Sequence, residues 1–365
     1  MSLLEVTDLR VSFPTSDGLV QAVRGVTFSV DRGQTLGIVG ESGSGKSVST
    51  QTLLGLTAGA DVSGQAMFEG RDLLTMSSDE LRRIRGAEIS MIFQDPLSAL
   101  HPLYRVGWQI MEMIRAHEPS VTKAQARKRA VDLLKMVGIP QPDRRVDDFP
   151  HQFSGGMRQR AMIAMALSLQ PKLIVADEPT TALDATVQAQ ILDLMLRLQR
   201  ELDTALIMIT HDLGVIADLA DDVMVMYAGK PVEHADRNTL YYQPHHPYTK
   251  GLLESIPNST GTERERLRPI TGQPPSLINP PGGCPFHPRC AYVMDRCLTE
   301  TPPLGPAAGD HGHQSACWLP EDAVGMGTEA EELRRRTAEE GRVGAARILA
   351  EEIANAADVK GAVTS

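Results

Sequence analysis

The stretch "GESGSGKS" at residues 40–47 decides the fold, because it fits the pattern G-x-x-x-x-G-K-[ST] between two regular elements. An apolar strand is predicted just before it, at 35–40, and a helix just after it, at 46–56. In that context the glycines let the backbone wrap around phosphates, Lys46 supplies a cation, and the Ser47 hydroxyl reaches Mg²⁺. A flexible Gly/Ser turn is the alternative, which the strand–helix context disfavours. The predicted nucleotide-binding residues are Gly40, Glu41, Ser42, Gly43, Ser44, Gly45, Lys46, Ser47 and Val48.

A second stretch, "LIVADE" at 173–178, places two acids at the end of a predicted buried strand. Asp177 could hold Mg²⁺ through water, and Glu178 is placed to orient or polarise an attacking water. Acids often solvate strand ends, so the stretch is weak evidence alone. Because it follows a phosphate loop in the same chain, it predicts the second half of a nucleotide-hydrolysing site.

Working outward, short apolar strands alternate with helical patterns over residues 1–235, which indicates an α/β nucleotide-binding domain. The region from about 95 to 170 is mostly helical and is predicted to be a helical subdomain inserted between two strands. Residues 236–320 are proline-rich, so we expect a small extension whose order comes from something other than a large core. The acidic Ala/Glu/Arg-rich tail, 321–365, could be helical or disordered.

The composition is that of a soluble globular protein, with 42% hydrophobic and 22% charged residues. No apolar stretch approaches the ~20 residues that cross a bilayer, and the N-terminus lacks the pattern of a secretory signal. We therefore expect a cytoplasmic protein whose membrane partners, if any, are separate chains. The net charge of -10 lowers the expectation of nucleic-acid binding.

Five motifs occur in an order that points to a family. The phosphate loop is followed by "FQD" (93–95), "SGGMRQR" (154–160), "ADEPTTALD" (176–184) and "ITHD" (209–212). This order closely resembles that of the ATP-binding subunits of ABC transporters. The resemblance implies a P-loop ABC ATPase core that binds ATP and Mg²⁺. It also implies a head-to-tail dimer with a second homologous ATPase subunit, with ATP sandwiched between the two.

The same resemblance implies a role for each motif. Ser154, Gly155 and Gly156 would contact the γ-phosphate of ATP on the partner's loop, and Met157 replaces the more frequent Gln. The implied catalytic residues are Glu178, His211 and Gln94; the implied Mg²⁺ ligands are Ser47, Gln94 and Asp177; and Asp184 is the implied interface residue. Phe13 is a candidate to stack on adenine, with a core role as the alternative.

Two further stretches resemble dipeptide and oligopeptide importers, namely "FQDPLSALHP" (93–102) and "HHPYTKGLLESIP" (245–257). This resemblance implies an ATPase that energises peptide import from the cytoplasmic face of the membrane. Two permease subunits would hold it there, and an extracytoplasmic substrate-binding protein would deliver the cargo. An importer of nickel, oligosaccharide or glutathione stays open, as does a soluble non-transport ABC ATPase.

All four cysteines fall within the proline-rich extension: Cys284, Cys290, Cys297 and Cys317. Clustered thiols in a reducing compartment more often hold metal than form disulfides. The spacing has no C-x-x-C pair and so matches common zinc sites poorly. The resemblance to peptide importers implies a [4Fe–4S] cluster on these four residues, with zinc, or free or disulfide-linked cysteines, as alternatives. His287, His311 and His313 lie nearby in sequence and are expected to be bystanders.

Overall fold

The computed structural model describes residues 2–181, 183–255, 270–307 and 310–320, so the predicted tail at 321–365 lies outside the described residues. The strands are β1 Leu4–Thr15, β2 Gly18–Val30, β3 Thr35–Val39, β4 Asp61–Phe68, β5 Arg71–Asp72, β6 Ile89–Ile92, β7 Leu173–Asp177, β8 Ala205–Thr210, β9 Asp222–Tyr227, β10 Lys230–Asp236, β11 Gly305–Ala307 and β12 Asp310–Ser315. The helices are α1 Lys46–Leu53, α2 Ser78–Ile84, α3 Pro96–Ala99, α4 Val106–His117, α5 Lys123–Met136, α6 Pro142–Arg145, α7 Gly155–Ala166, α8 Ala185–Leu202, α9 Leu213–Ala217, α10 Arg237–Tyr242, α11 Pro247–Glu254 and α12 Asp295–Thr299.

The larger sheet has eight strands in the order β11-β12-β10-β9-β3-β8-β7-β6. Its centre is parallel, because β3 pairs in parallel with both β8 and β9, and β7 pairs in parallel with β6 and β8. Every residue of β3, β7 and β8 is buried, which agrees with their unbroken apolar runs and with a sheet covered on both faces. The carboxyl ends of these strands meet at one edge of the sheet, so residues that follow them are brought together.

A second sheet, in the order β2-β1-β4-β5, is antiparallel. Its buried residues form one apolar core with residues of β3, β7 and β8, including Leu36, Val175 and Ile207. The smaller sheet therefore packs on one face of the larger one, close to the start of the phosphate loop.

The segment between β6 and β7 is helical, as its sequence pattern predicts. Helix α4 buries Val106, Ile110 and Ile114 at a four-residue spacing, and α5 buries Ala126 and Ala130 in the same way. The small side chains of α5 let these helices approach closely, and both contribute to the core that contains α7 and α8. Within the described part of the chain, no helix combines the length and apolar character needed to cross a membrane.

The expectation that the extension lacks a large core is wrong. Strand β12 pairs with β10 and thereby continues the main sheet. Tyr248, Phe286 and Val293 are buried in the same apolar core as strands β7 to β9. The proline-rich segment is therefore ordered by packing and strand pairing against the nucleotide-binding core. The helix predicted at 46–56 also ends earlier, at Leu53, because Gly55 takes a left-handed conformation with a φ of 60°.

Candidate nucleotide site

The phosphate loop connects β3 to α1, as predicted. Gly45 has a φ of 97°, and a Cβ there would lie 2.3 Å from the carbonyl oxygen of Ala22, so only glycine fits. The next residue, Lys46, begins α1, whose first N–H groups have no intrahelical acceptor. Among the described residues, the N–H groups of Gly43, Gly45 and Lys46 have no hydrogen-bond acceptor. Unpaired donors at a helix N-terminus suit a phosphate group.

Lys46 is 4% exposed and lies along the loop. Its Nζ donates to the carbonyl oxygens of Gly40 at 2.7 Å and Glu41 at 2.9 Å. Burial lowers the pKa of Lys46, and the nearby acids Glu178 and Asp177 oppose that shift. A phosphate group can replace these carbonyls as the partner of the ammonium group, since it carries the full charge that the carbonyls lack.

Asp177 and Ser47 are brought together from β7 and α1. The Ser47 hydroxyl donates to Asp177 Oδ1 at 2.7 Å, and Gln51 Nε2 donates to Oδ2 at 3.4 Å. Burial raises the pKa of Asp177, and the hydrogen bond from Ser47 opposes the shift. A hydroxyl and a carboxylate in contact beside the loop are oxygen donors of the kind that Mg²⁺ prefers.

Glu178 is the centre of a hydrogen-bond network. Its Oε2 accepts from Gln94 Nε2 at 3.0 Å and from the Thr181 hydroxyl at 2.9 Å. On the other side, His211 Nδ1 lies 3.4 Å from Oε1. Glu178 itself has a φ of 46°, a left-handed conformation that is uncommon for a residue with a side chain. Such strain persists only where the surroundings fix it, which often happens at functional sites.

The structure thus joins Gln94, Asp177, Glu178 and His211 beside the phosphate loop, although they lie far apart in sequence. Two partners in this network were not predicted: Thr181, on Glu178, and Gln51, on Asp177. Thr181 lies in the quoted motif "ADEPTTALD", three residues after Glu178, so its spacing was a usable signal. Gln51 lies one helical turn after Ser47 on α1, and only the placement of that helix against β7 identifies it.

Ser154 and Asp184 each cap a helix at its exposed start. The Ser154 side chain accepts from Met157 N at 3.3 Å at the start of α7, and Asp184 accepts from Val187 N at 3.0 Å at the start of α8. Gly155 is exposed, and a Cβ there would meet nothing closer than Leu183 at 3.9 Å. Packing within the chain therefore does not require glycine at position 155. By contrast, a Cβ on Gly156 would lie 2.8 Å from Val187.

Phe13 lies at the end of β1 and is half-buried against the core between the two sheets. Val48 on α1 packs against the same core. These contacts give Phe13 a packing role, and the stacking of its ring on adenine stays a prediction.

The four cysteines line one small cavity beneath His246 and Phe286, with a volume of about 10 Å³. All four are free thiols. Burial raises the pKa of Cys284 to about 11 and those of Cys290 and Cys317 to about 12. In the described residues, no three or more His, Cys, Asp or Glu side chains are grouped so as to hold one metal ion.

The histidines near these cysteines have other partners. His313 Nε2 lies 2.7 Å from Glu233 Oε1, and His287 Nδ1 lies 2.9 Å from the carbonyl oxygen of Cys284. The third, His311, has a side chain outside the described part of the structure.

Relatives of this chain match it over most of its length. A family model described as "ABC transporter" matches residues 23–181, and one described as "Oligopeptide/dipeptide transporter, C-terminal region" matches residues 232–297. The oligopeptide transport ATP-binding protein of Bacillus subtilis is 52% identical over 320 residues, which cover 87% of this chain and 88% of that protein. The dipeptide transport ATP-binding protein of Escherichia coli is 47% identical over 333 residues, covering 90% of this chain and 100% of the relative.

Solved structures give the same fold. The dimeric post-hydrolysis structure of the ATP-binding cassette MJ0796, bound to ADP and Pi, has a TM-score of 0.58 at 26% identity, covering 64% of this chain and 98% of that one. The structure of cbiO1 from Clostridium perfringens has a TM-score of 0.56 at 28% identity, covering 66% and 91%. The phosphate loop, the acid pair and these relatives agree: the chain belongs to the ABC transporter family, among the ATP-binding proteins of oligopeptide and dipeptide transport.

Proposed function

We propose that this chain hydrolyses ATP and thereby energises the import of dipeptides or oligopeptides through a membrane transporter. The observation that carries the proposal is the set of contacts around Glu178. Its carboxylate contacts Gln94, Thr181 and His211, and it lies next to the Ser47–Asp177 pair. The relatives named above are peptide-transport proteins, which supports the cargo class. Uptake of labelled peptides by proteoliposomes that contain the assembled transporter tests it. Uptake of nickel, oligosaccharide or glutathione without peptide uptake would contradict the cargo.

Each residue of the network has a place in hydrolysis. The loop N–H groups and Lys46 bind the phosphates, and Glu178 orients the attacking water while His211 and Gln94 fix its position. Ser47, Asp177 and Gln94 would hold Mg²⁺, which when bound neutralises charge on the phosphate oxygens. Residues 1–235 supply all of these groups, which supports their assignment as the nucleotide-binding domain.

A second ATPase subunit completes the site in this proposal. Ser154 and Gly155 are exposed at the start of α7, where N–H groups and the helix dipole favour an anion from outside the chain. The open space over Gly155 suits the close approach of a partner's γ-phosphate. Asp184, exposed at the start of α8, is assigned to the same interface. The related cassette MJ0796 has been solved as a dimer, which supports the arrangement.

The permease contact is assigned to an apolar groove beside the helical segment. This groove has a volume of about 320 Å³, and its lining includes Leu56, Met91, Phe93, Met113, Met162 and Met165. Phe93 is 38% exposed and adjoins Gln94, so an occupant of the groove would lie next to the catalytic network. Apolar, Met-rich grooves suit an amphipathic helix, here a cytoplasmic helix of one permease subunit. The chain would then lie peripherally on the cytoplasmic face of the membrane.

The groove has a direct test. The variant Met113→Glu is expected to lower co-purification with the permease subunits, since a charge would enter an apolar contact, while ATP binding stays unchanged. Tyr242→Glu, at a position that is 83% exposed on α10, is the control. Strong salt-sensitive binding to DNA or RNA together with undisturbed permease binding by Met113→Glu would instead favour a soluble, non-transport ATPase.

A [4Fe–4S] cluster is proposed on Cys284, Cys290, Cys297 and Cys317. Four free thiols around one cavity, three of them buried, are a suitable donor set. The raised pKa values of Cys284, Cys290 and Cys317 mean that binding would release protons. The cavity is near the size of one water, so the thiols must move outward to admit a cluster. When bound, the cluster would crosslink the extension. About four iron and four sulfide per chain after anaerobic purification would support it, and stoichiometric zinc without iron would contradict it.

A further inference from the structure

A buried arginine of the extension contacts the phosphate loop. Arg289 Nη1 and Nη2 donate to the two carboxylate oxygens of Glu41 at 2.6 and 2.8 Å. The Arg289 side chain is 4% exposed and that of Glu41 is 26% exposed. Two parallel bonds between a guanidinium and a carboxylate fix orientation as well as distance. Glu41 is the second residue of the loop, so a residue next to Cys290 directly contacts the nucleotide site.

Arg289 is itself held rigidly. Its Nε donates to the carbonyl oxygen of Thr271 at 3.1 Å, and its guanidinium lies 5.8 Å from the centre of the Tyr227 ring. The residue sits in a tight turn in which His287 N donates to the carbonyl oxygen of Cys284 at 3.0 Å, and Arg289 N to that of Phe286 at 2.9 Å. The conformation of the turn between Cys284 and Cys290 therefore determines where the guanidinium lies.

A second group of the extension holds the backbone of the same loop residue. The N–H of Glu41 donates to the Tyr248 hydroxyl at 2.9 Å, and Tyr248 is fully buried against Tyr227 and Phe286. Glu41 is thus fixed through its side chain by Arg289 and through its backbone by Tyr248. Neither contact involves any residue of the catalytic network around Glu178.

The fixed residue in turn orients the phosphate-binding lysine. The carbonyl oxygen of Glu41 accepts from Lys46 Nζ at 2.9 Å and from Ser44 N at 3.2 Å. Displacement of Glu41 would therefore move both the turn of the loop and the lysine. The path from the cysteine turn to the phosphate site consists of two contacts, Arg289 to Glu41 and Glu41 to Lys46.

We infer that Arg289 and Tyr248 are positioning residues for the nucleotide site, through which the C-terminal extension sets the affinity of the phosphate loop for ATP. The inference rests on the proposed function in taking residues 40–47 as the ATP site. Because coupling between two sites is reciprocal, ATP binding also stabilises the turn at 284–290. The alternative is that the ion pair only attaches the extension to the core.

The test measures nucleotide affinity and turnover separately. Arg289→Ala is expected to raise the Kd for a non-hydrolysable ATP analogue and the KM for ATP about tenfold or more, with kcat changed by less than about threefold, because the loop binds ground state and transition state alike. Arg289→Lys keeps the charge but loses the paired bonds, so its Kd and KM are expected to lie between those of the wild type and those of Arg289→Ala. Arg296→Ala is the matched control, since Arg296 pairs with Glu300 within the same extension and has no contact with the loop.

Glu41→Gln and Tyr248→Phe keep the test decisive if Arg289→Ala does not fold. Glu41→Gln removes the carboxylate that pairs with Arg289, and Tyr248→Phe removes the hydroxyl that accepts from the N–H of Glu41. Both are expected to raise the Kd, and combining Glu41→Gln with Arg289→Lys should add less than the sum of the single effects. In the wild type, the ATP analogue should slow hydrogen exchange at 284–290. The inference is overturned if the folded variants lower only the melting temperature and bind nucleotide like the wild type. A wild type that binds no nucleotide would instead refute the proposed function.

Discussion

Replacing Glu178 with Gln separates ATP binding from hydrolysis. The substitution keeps the size of the side chain, so its amide oxygen can still accept from Gln94 Nε2 and the Thr181 hydroxyl, now at 3.0 and 2.9 Å from Glu178 Oε2. The amide nitrogen then faces His211 Nδ1, which lies 3.4 Å from Oε1 and can accept in its neutral form. We therefore expect the network, the fold and ATP affinity to be retained. Only the negative charge that we propose to lie beside the attacking water is lost.

The loss of that charge sets the size of the effect. Proton transfer to a positioned side chain contributes about 10²- to 10⁴-fold to a rate, which corresponds to about 3–5 kcal/mol of barrier. Phosphate release by the purified chain and by its assembled transporter measures kcat, and a fluorescent ATP analogue measures Kd. We expect kcat to fall by at least about 100-fold, Kd to stay within about threefold, and ATP-dependent dimers to accumulate.

The control is Thr181→Val, which removes one hydrogen bond to Glu178 but keeps the carboxylate. It is expected to lower kcat by about tenfold, because a misdirected carboxylate still carries its charge. Hydrolysis by the Glu178→Gln variant within about tenfold of the wild type would refute the catalytic assignment. A parallel loss of ATP binding would refute the claim that the network survives the substitution.

Three further predictions concern Lys46, Gly155 and Glu88. Lys46→Ala should raise the Kd for ATP at least about tenfold in calorimetric titration without unfolding the chain, because the Lys46 ammonium is the cation with which the loop binds phosphate. An unchanged Kd would contradict this role of Lys46. Gly155→Asp should keep or raise the melting temperature, since an acid at the start of a helix is favourable. It should nevertheless abolish ATP-driven dimers in light scattering, and normal dimers would contradict the assignment of Gly155 to the dimer interface. The pKa of Glu88 is held below its usual range by the hydrogen bond from Arg71, against burial and with help from Lys172. That stabilisation is present above about pH 4.5 and is lost as the pH falls through the depressed pKa. Glu88→Gln should therefore cost at most about 1 kcal/mol in urea unfolding near pH 7, and this cost should shrink as the pH is lowered through that pKa. A cost that does not change with pH would contradict the prediction.

The phosphate loop and the acid pair could be predicted because local rules specify them. A strand, a glycine turn with Lys46 and Ser47, and a helix follow one another within a few residues, and the conformation of Gly45 explains why glycine is needed. The buried strands could be predicted for the same reason, since unbroken apolar runs leave few alternatives.

The packing of the extension could not be predicted, because contacts that decide it join distant parts of the chain. A count of prolines gives no sign that Tyr248 and Phe286 enter the main core or that β12 pairs with β10. The bond between Arg289 and Glu41 spans 248 positions in sequence. Gln94 and His211, two of the three partners of Glu178, were easier to identify, because the motifs that hold them are short and occur in a fixed order.

The addition of β12 to the main sheet has a consequence for any shortened form of this protein. Removal of everything after position 235 would leave β10 as a bare edge, with its N–H and C=O groups open to pairing with other chains. The same cut would remove the hydrogen-bond partners of the fully buried Glu233, which are His313 and the backbone N–H groups of His245 and His246. A minimal ATPase that consists of residues 1–235 would therefore aggregate, and this part must be produced together with the C-terminal extension.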